Sequence, residues 1–163
     1  MHFLLLAKYP PIVGGLATVN YWKAWLLAQA GVKITIVTNA DEVSKAHGLI
    51  WQCSEALPNV RVKYLSKSNH YKIIPRSQAY VTRLVSVSCS VLETEKIDFI
   101  EASYLEPNGA SAVMLSQWFG LPYGIKHAGS DVGKLLDGIE YSAAYQRILS
   151  NADYILTGKN HIC

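Results

Sequence analysis

The sequence predicts an α/β domain: a doubly wound, mainly parallel sheet of six strands. Three observations carry that expectation. Short apolar runs alternate with segments of helical periodicity along the chain, and strands alternating with helices at this pitch imply parallel pairing with helices on both faces. The length of 163 residues fits one domain, and a chain of this size buries about 68–70% of its unfolded surface without a disulfide or metal staple. Four Trp, ten Tyr and three Phe with only 17% charged residues exclude the composition of a disordered chain.

Residues 2–7 (HFLLLA) form a short apolar run ended by the stiff Lys8-Tyr9-Pro10-Pro11, a buried strand followed by a loop. Gly14-Gly15 open a helix over 16–30 with apolar residues at Leu16, Val19, Trp22, Leu26 and Ala30, closed by Gly31. Residues 32–38 (VKITIVT) are β-branched and read as the second strand. A weak helix interrupted by Gly48 is expected over 41–57. Residues 60–65 alternate apolar and basic side chains, a strand with one wet side, and 66–75 make a polar loop. Pro75 precedes a long helix over 76–95 with a stripe of Val81, Leu84, Val85, Val91 and Leu92. Residues 97–102 (IDFIEA) are the fourth strand. A small-residue helix over 108–119 ends at Gly120 and Pro122, and 123–127 is the fifth strand. One or two short helices fill 132–149, and 153–157 (DYILT) is the sixth strand.

Composition also narrows function. No apolar run approaches the ~20 residues of a membrane span, despite a mean hydropathy of +0.14. The N-terminal run is too short for a signal sequence and lacks a basic flank, so a cytoplasmic protein is expected. Cys53, Cys89 and Cys163 are odd in number and far apart, and the five His do not complete a metal-ligand spacing. Reduced structural thiols and no metal are expected. A pI near 8.7 is too mild to imply nucleic acid. Between Ala56 and Leu92 there is no acid, but there are Arg61, Lys63, Lys67, Lys72, Arg76 and Arg83. That stretch reads either as a solvated face or as a surface for an anionic partner, a phosphorylated substrate or the inner face of a membrane, with Lys67, Lys72 and Arg76 as the membrane or anionic-surface patch.

In a doubly wound sheet, ligands bind outside the carboxyl ends of the strands. That rule selects the loops 8–15, 39–41, 103–109 and 127–133. Gly14 and Gly15 before a helix allow close backbone approach of an anion such as a diphosphate, or simply serve a loop that needs positive φ. The Pro10-Pro11 pair stands where a nicotinamide fingerprint would need its tight glycine turn. G-x-x-x-x-G-K-[ST] and G-x-S-x-G are absent, which excludes a P-loop NTPase and the common hydrolase elbow. His127-Ala128-Gly129-Ser130-Asp131 is the strongest polar cluster, with His127 able to bond a sugar hydroxyl near neutrality. Asp131 reads equally as the N-cap of the next helix. Glu101 and Glu106 flank the fourth strand, but their spacing alone does not make a hydrolytic pair.

The motifs P-P-I-V-G-G-L-A (10–17), L-L-A-Q-A-G-V-K-I-T-I-V-T (26–38), D-F-I-E-A-S-Y-L-E-P-N-G-A (98–110), L-P-Y-G-I-K-H-A-G-S-D-V (121–132) and A-D-Y-I-L-T (152–157) run in one order along essentially the whole chain. Together they resemble the N-terminal, acceptor-side domain of a family 4 retaining glycosyltransferase with the GT-B fold. The resemblance implies a Rossmann-like domain, one half of a GT-B architecture, in an enzyme that moves a sugar from a nucleotide-sugar to a glycan or lipid-linked acceptor, in polysaccharide or glycolipid synthesis. It implies Gly14 and Gly15, with Gly129 and Ser130, near the donor diphosphate and sugar. His127 and Asp131 are then expected in catalysis, and Tyr104, Glu106 and Asn108 on the acceptor side. The nucleotide-sugar is a co-substrate, and no cofactor or metal is expected.

The resemblance puts the basic pair and the Glu-x7-Glu motif that hold the donor in a second domain, which these residues do not match; the one Glu-x7-Glu spacing here, Glu93 to Glu101, falls on the approach to the expected fourth strand. The chain is therefore expected to be inactive alone. Two other readings share the architecture: half of a GT-B-type sugar-nucleotide epimerase, or a non-catalytic binding module completed by a partner chain.

Overall fold

The computed structural model describes residues 1–39, 57–65, 80–127 and 129–157. Their elements run β1 (His2–Leu6), α1 (Gly15–Gln29), β2 (Lys33–Asn39), β3 (Val60–Leu65), α2 (Tyr80–Thr94), β4 (Phe99–Ser103), a π-turn (Leu105–Gly109), α3 (Ala110–Phe119), β5 (Tyr123–Lys126), α4 (Ser130–Leu135), α5 (Ile139–Ser150) and β6 (Tyr154–Leu156). The helix expected over 41–57, the loop over 66–75 and the start of the helix at 76 lie outside the described residues.

The six strands form one sheet in the order β3-β2-β1-β4-β5-β6, and every neighbouring pair is parallel. Strand order reverses between β1 and β4. This is the doubly wound, Rossmann-like arrangement expected from the alternation of strand and helix. Leu4, Leu6, Val37, Ile100, Ala102 and Ile125 point to one face and join the larger core with Leu84, Val85 and Val91 of α2, Leu115 of α3 and Ile148 of α5. Leu5, Ala7, Ile34 and Ile36 point to the other face, where Ala24 of α1 packs. Right-handed crossovers require this division: the connection from β1 to β2 runs one way along the sheet, those from β3 through β4 and β5 to β6 the other.

The face of α1 that packs is not the one its large apolar residues suggest. Ala17, Asn20, Ala24 and Ala28 are buried, whereas Val19, Trp22 and Leu26 are 48%, 54% and 61% exposed. Small side chains let the helix axis lie close over the strands, and dense packing favours that approach. Trp22 is braced edge-on by Tyr21 and Trp25, with ring centres 5.3 and 5.9 Å apart. On α2 the expected stripe holds, with Leu84, Val85 and Val91 inside.

At the amino end of the sheet, Arg61 pairs with Glu95, which also accepts from the Thr35 hydroxyl at 3.1 Å. One cation of the acid-free stretch is thereby matched by an acid just beyond it. His2 stands 3.7 Å from the same carboxylate, and burial, followed by Lys33, holds its imidazole below the ordinary value. Among the described residues, no helix is long and apolar enough to cross a membrane.

Candidate functional site

Three loops meet at the carboxyl ends of β1, β4 and β5, around the point where strand order reverses. The first runs from β1 to α1. Gly14 has φ 146° and precedes the helix, and its carbonyl accepts both the Thr18 N–H at 3.1 Å and the Thr18 hydroxyl at 3.2 Å. Apart from their chain neighbours and the helix's own backbone, no atom of the described residues would meet a Cβ placed on Gly14 or Gly15 within 4 Å, so the space over this turn is open among them. The Tyr64 hydroxyl donates to the Pro10 carbonyl at 2.8 Å and ties the loop to β3.

The second loop follows β4. Tyr104 takes φ 91°, a conformation L residues rarely adopt, and its N–H donates to the Lys126 carbonyl at 2.8 Å. Asn108 is buried and donates to the Ser103 carbonyl at 2.6 Å. That bond occupies Asn108 in the turn, so α3 begins only at Ala110 rather than at the expected 108. Glu106 is exposed, and its carboxylate accepts from the Tyr145 hydroxyl at 2.5 Å. The carboxylate therefore leans toward α5. Burial, and then this bond, raise the Tyr145 phenol above its ordinary value.

The third loop follows β5. His127 is 8% exposed. Its Nδ1 accepts the Gly129 N–H at 3.1 Å, so in the neutral ring the proton sits on Nε2. Gly129 takes φ 84°, which favours glycine. Asp131 is 1% exposed, and its carboxylate accepts the Leu105 N–H at 3.1 Å. It thus reaches across to the second loop, while Gly129 holds the N-cap position of α4 with no side-chain cap. Ser130 is the first residue of α4. Lys67, Lys72 and Arg76 lie outside the described residues.

The described sequence-predicted residues therefore lie on the three loops at one end of the sheet, where His127 is bound by Gly129 while Glu106, Asn108 and Asp131 are engaged by Tyr145, Ser103 and Leu105. What joins them is a buried relay that periodicity does not reveal. Asn20 of α1, 0% exposed, donates to the Lys8 carbonyl at 2.9 Å and accepts the Ser103 hydroxyl at 3.1 Å. Behind it, Lys23 pairs with Glu101, whose second oxygen accepts the Tyr154 hydroxyl at 2.6 Å. The available signal was a polar Asn20 in register with Ala17, Ala24 and Ala28. A polar side chain on the packed face of a helix must find a buried partner.

Among the described residues, no group of three or more His, Cys, Asp or Glu side chains stands close enough to hold a metal ion. No protein-family model and no curated protein sequence matches the chain. Its fold is similar to UGT89C1 of Arabidopsis thaliana complexed with UDP (TM-score 0.58, 12% identity, 97% of this chain and 42% of that one). It is similar also to LpCGTa in complex with UDP (TM-score 0.59, 14% identity, 97% of this chain and 45% of that one). The chain spans less than half the length of either, and the shared feature is the Rossmann-like fold.

Proposed function

We propose that the chain is the acceptor-side domain of a retaining glycosyltransferase of family 4 that moves a sugar from a nucleotide-sugar to a glycan or lipid-linked acceptor. The observation that carries this reading is the open turn at Gly14-Gly15, set at the carboxyl edge of the sheet where the His127 loop also arrives. Both similar structures are complexes with UDP, which supports a nucleotide-sugar donor. In this reading the Gly14-Gly15 turn and the start of α1 approach the diphosphate through backbone N–H groups. His127 donates from Nε2 to a hydroxyl of the transferred sugar. Asp131 holds the Leu105 turn, so that Tyr104 and Asn108 keep the acceptor wall in place. The donor nucleotide is held by a second Rossmann-like domain, and catalysis depends on positioning both reactants together.

The test supplies that domain. A protein that joins this chain to a nucleotide-sugar-binding GT-B half is expected to transfer sugar with retention of anomeric configuration, read by NMR of the product. The 163-residue chain alone is expected to transfer none. Submicromolar binding of a nucleotide-sugar by the chain alone, roughly 8 kcal/mol or more, overturns the division of labour. Inversion at the anomeric carbon overturns the family reading.

A further inference from the structure

Among the described residues, α1 is the one helix on its face of the sheet. All the other described helices pack against the opposite face with the larger core. Beyond α1, the strands β4, β5 and β6 present Glu101, Gly124 and Tyr154 in one cross-strand row. Ser103, Lys126 and Leu156 form the next row, nearer the carboxyl edge. Ser103 is buried beneath Asn20, Lys126 is half-buried, and Leu156 is 41% exposed. Lys126 therefore stands at the border between α1 and the part of the sheet that no described helix covers on this face.

Three charged groups share this border. Glu101 is 1% exposed, and both of its oxygens are engaged, one by Lys23 and one by the Tyr154 hydroxyl. The Lys126 ammonium feels the charges of Lys23 and Glu101, yet makes no hydrogen bond or ion pair among the described residues. Two cations and one carboxylate leave a net charge of +1. A half-buried ammonium that the described residues give no acceptor is costly, because burial removes water without a partner in return. Burial, and then Lys23, hold the Lys126 ammonium below its ordinary value, with Glu101 opposing. An oxyanion resting on Lys126 reverses both effects: it supplies acceptors and cancels the excess charge.

We propose that Lys126, backed by the Lys23–Glu101 pair, forms an anion site that takes a phosphate or carboxylate group of the acceptor. The site lies on the carboxyl edge of β4 and β5, one residue before His127 in the chain, so an acceptor anchored there extends toward the His127 loop. This assignment of the anion to the acceptor rests on the reading under Proposed function, whereas the anion site itself does not.

Amide NMR of the chain, titrated at constant ionic strength, tests it. Inorganic phosphate and glucuronate are expected to give saturable shifts centred on Ser103, Gly124, Lys126 and Tyr154, while glucose gives none. Lys126→Met is expected to weaken binding by about tenfold, Lys126→Arg to retain it, and Lys33→Met, at the far end of the sheet, to change nothing. Non-saturable shifts, or equal affinity in Lys126→Met, overturn the site. Should Lys126→Met not fold, the shift map of the native chain decides alone, and a map that leaves Lys126 and Ser103 unmoved overturns it. If UDP saturates these residues and phosphate and glucuronate do not, the anion belongs to the donor and the acceptor assignment fails. Absence of sugar transfer in the two-domain protein leaves the binding result untouched, so the two readings fail separately.

Discussion

The Asp131 carboxylate accepts the backbone N–H of Leu105 at 3.1 Å, joining the turn after β5 to the turn after β4 across 26 residues of sequence. Both residues are buried, Asp131 at 1% and Leu105 at 0% exposure. The bond therefore lies where water cannot replace it.

Removing that carboxylate leaves a buried N–H without its acceptor. Asp131→Ala is expected to lower stability by about 1–3 kcal/mol, read as a shift in the denaturant midpoint at unchanged m-value. Asp131→Asn keeps a carbonyl oxygen and should lose less. An Asp131→Asn protein that is fully stable but inactive in the two-domain enzyme would instead show a role in the chemistry itself.

Asn20 holds two loops at once, through the Lys8 carbonyl and the Ser103 hydroxyl. Asn20→Leu is expected to cost about 1–3 kcal/mol and to move the amide signals of both loops. Ser103→Ala removes only one of these bonds and should be milder. Similar losses in the two variants would mean that the Lys8 bond contributes nothing.

Gly124 gives the Tyr154 ring its seat: a Cβ at 124 would stand 2.4 Å from Tyr154 Cζ. The ring has little room to retreat, because Phe99 stacks on it at 5.1 Å and Glu101 holds its hydroxyl. Gly124→Ala should therefore destabilise by about 1–3 kcal/mol. In a double-mutant cycle with Tyr154→Ala most of that penalty should vanish. Additive losses would show that the ring moves aside freely.

Tyr9, Tyr145 and Tyr154 each have a phenol pushed above its ordinary value of 10.0, with burial as the first cause. A raised acid contributes stability that is complete below its unfolded value and is lost as pH climbs above it, since the unfolded chain ionises first. The fold should therefore be insensitive to these groups through neutral pH and unfold cooperatively above about pH 10. Ultraviolet titration checks this. Smooth, reversible ionisation of all ten Tyr without loss of circular dichroism would contradict it.

Gly129 occupies the Nδ1 of His127, so the neutral ring carries its proton on Nε2. In the joined two-domain enzyme, His127→Ala is expected to reduce turnover by about a hundredfold, and Gly15→Val to impair it by filling the open turn. Full activity in His127→Ala would reduce this residue to a loop histidine.

Sequence by itself determined the alternation of elements and hence the parallel sheet, because strand and helix periods are local properties that each segment carries alone. It also determined which loops reach the carboxyl edge, since in a parallel sheet every connection that leaves a strand begins there. The orientation of α1 was decided by tertiary structure. Val19, Trp22 and Leu26 make the more hydrophobic stripe, yet the Ala17, Asn20, Ala24 and Ala28 side lies on the sheet, because close approach to β-branched strands selects small side chains over large ones. The partners of the polar residues were likewise set only by the fold. Asp131 to Leu105, Asn20 to Ser103 and Lys23 to Glu101 are separated by 26, 83 and 78 positions. Nothing local in the chain marks these pairs. They form because the strand order brings β4 beside β1 and β5 beside β4, and buried polar groups there must satisfy one another.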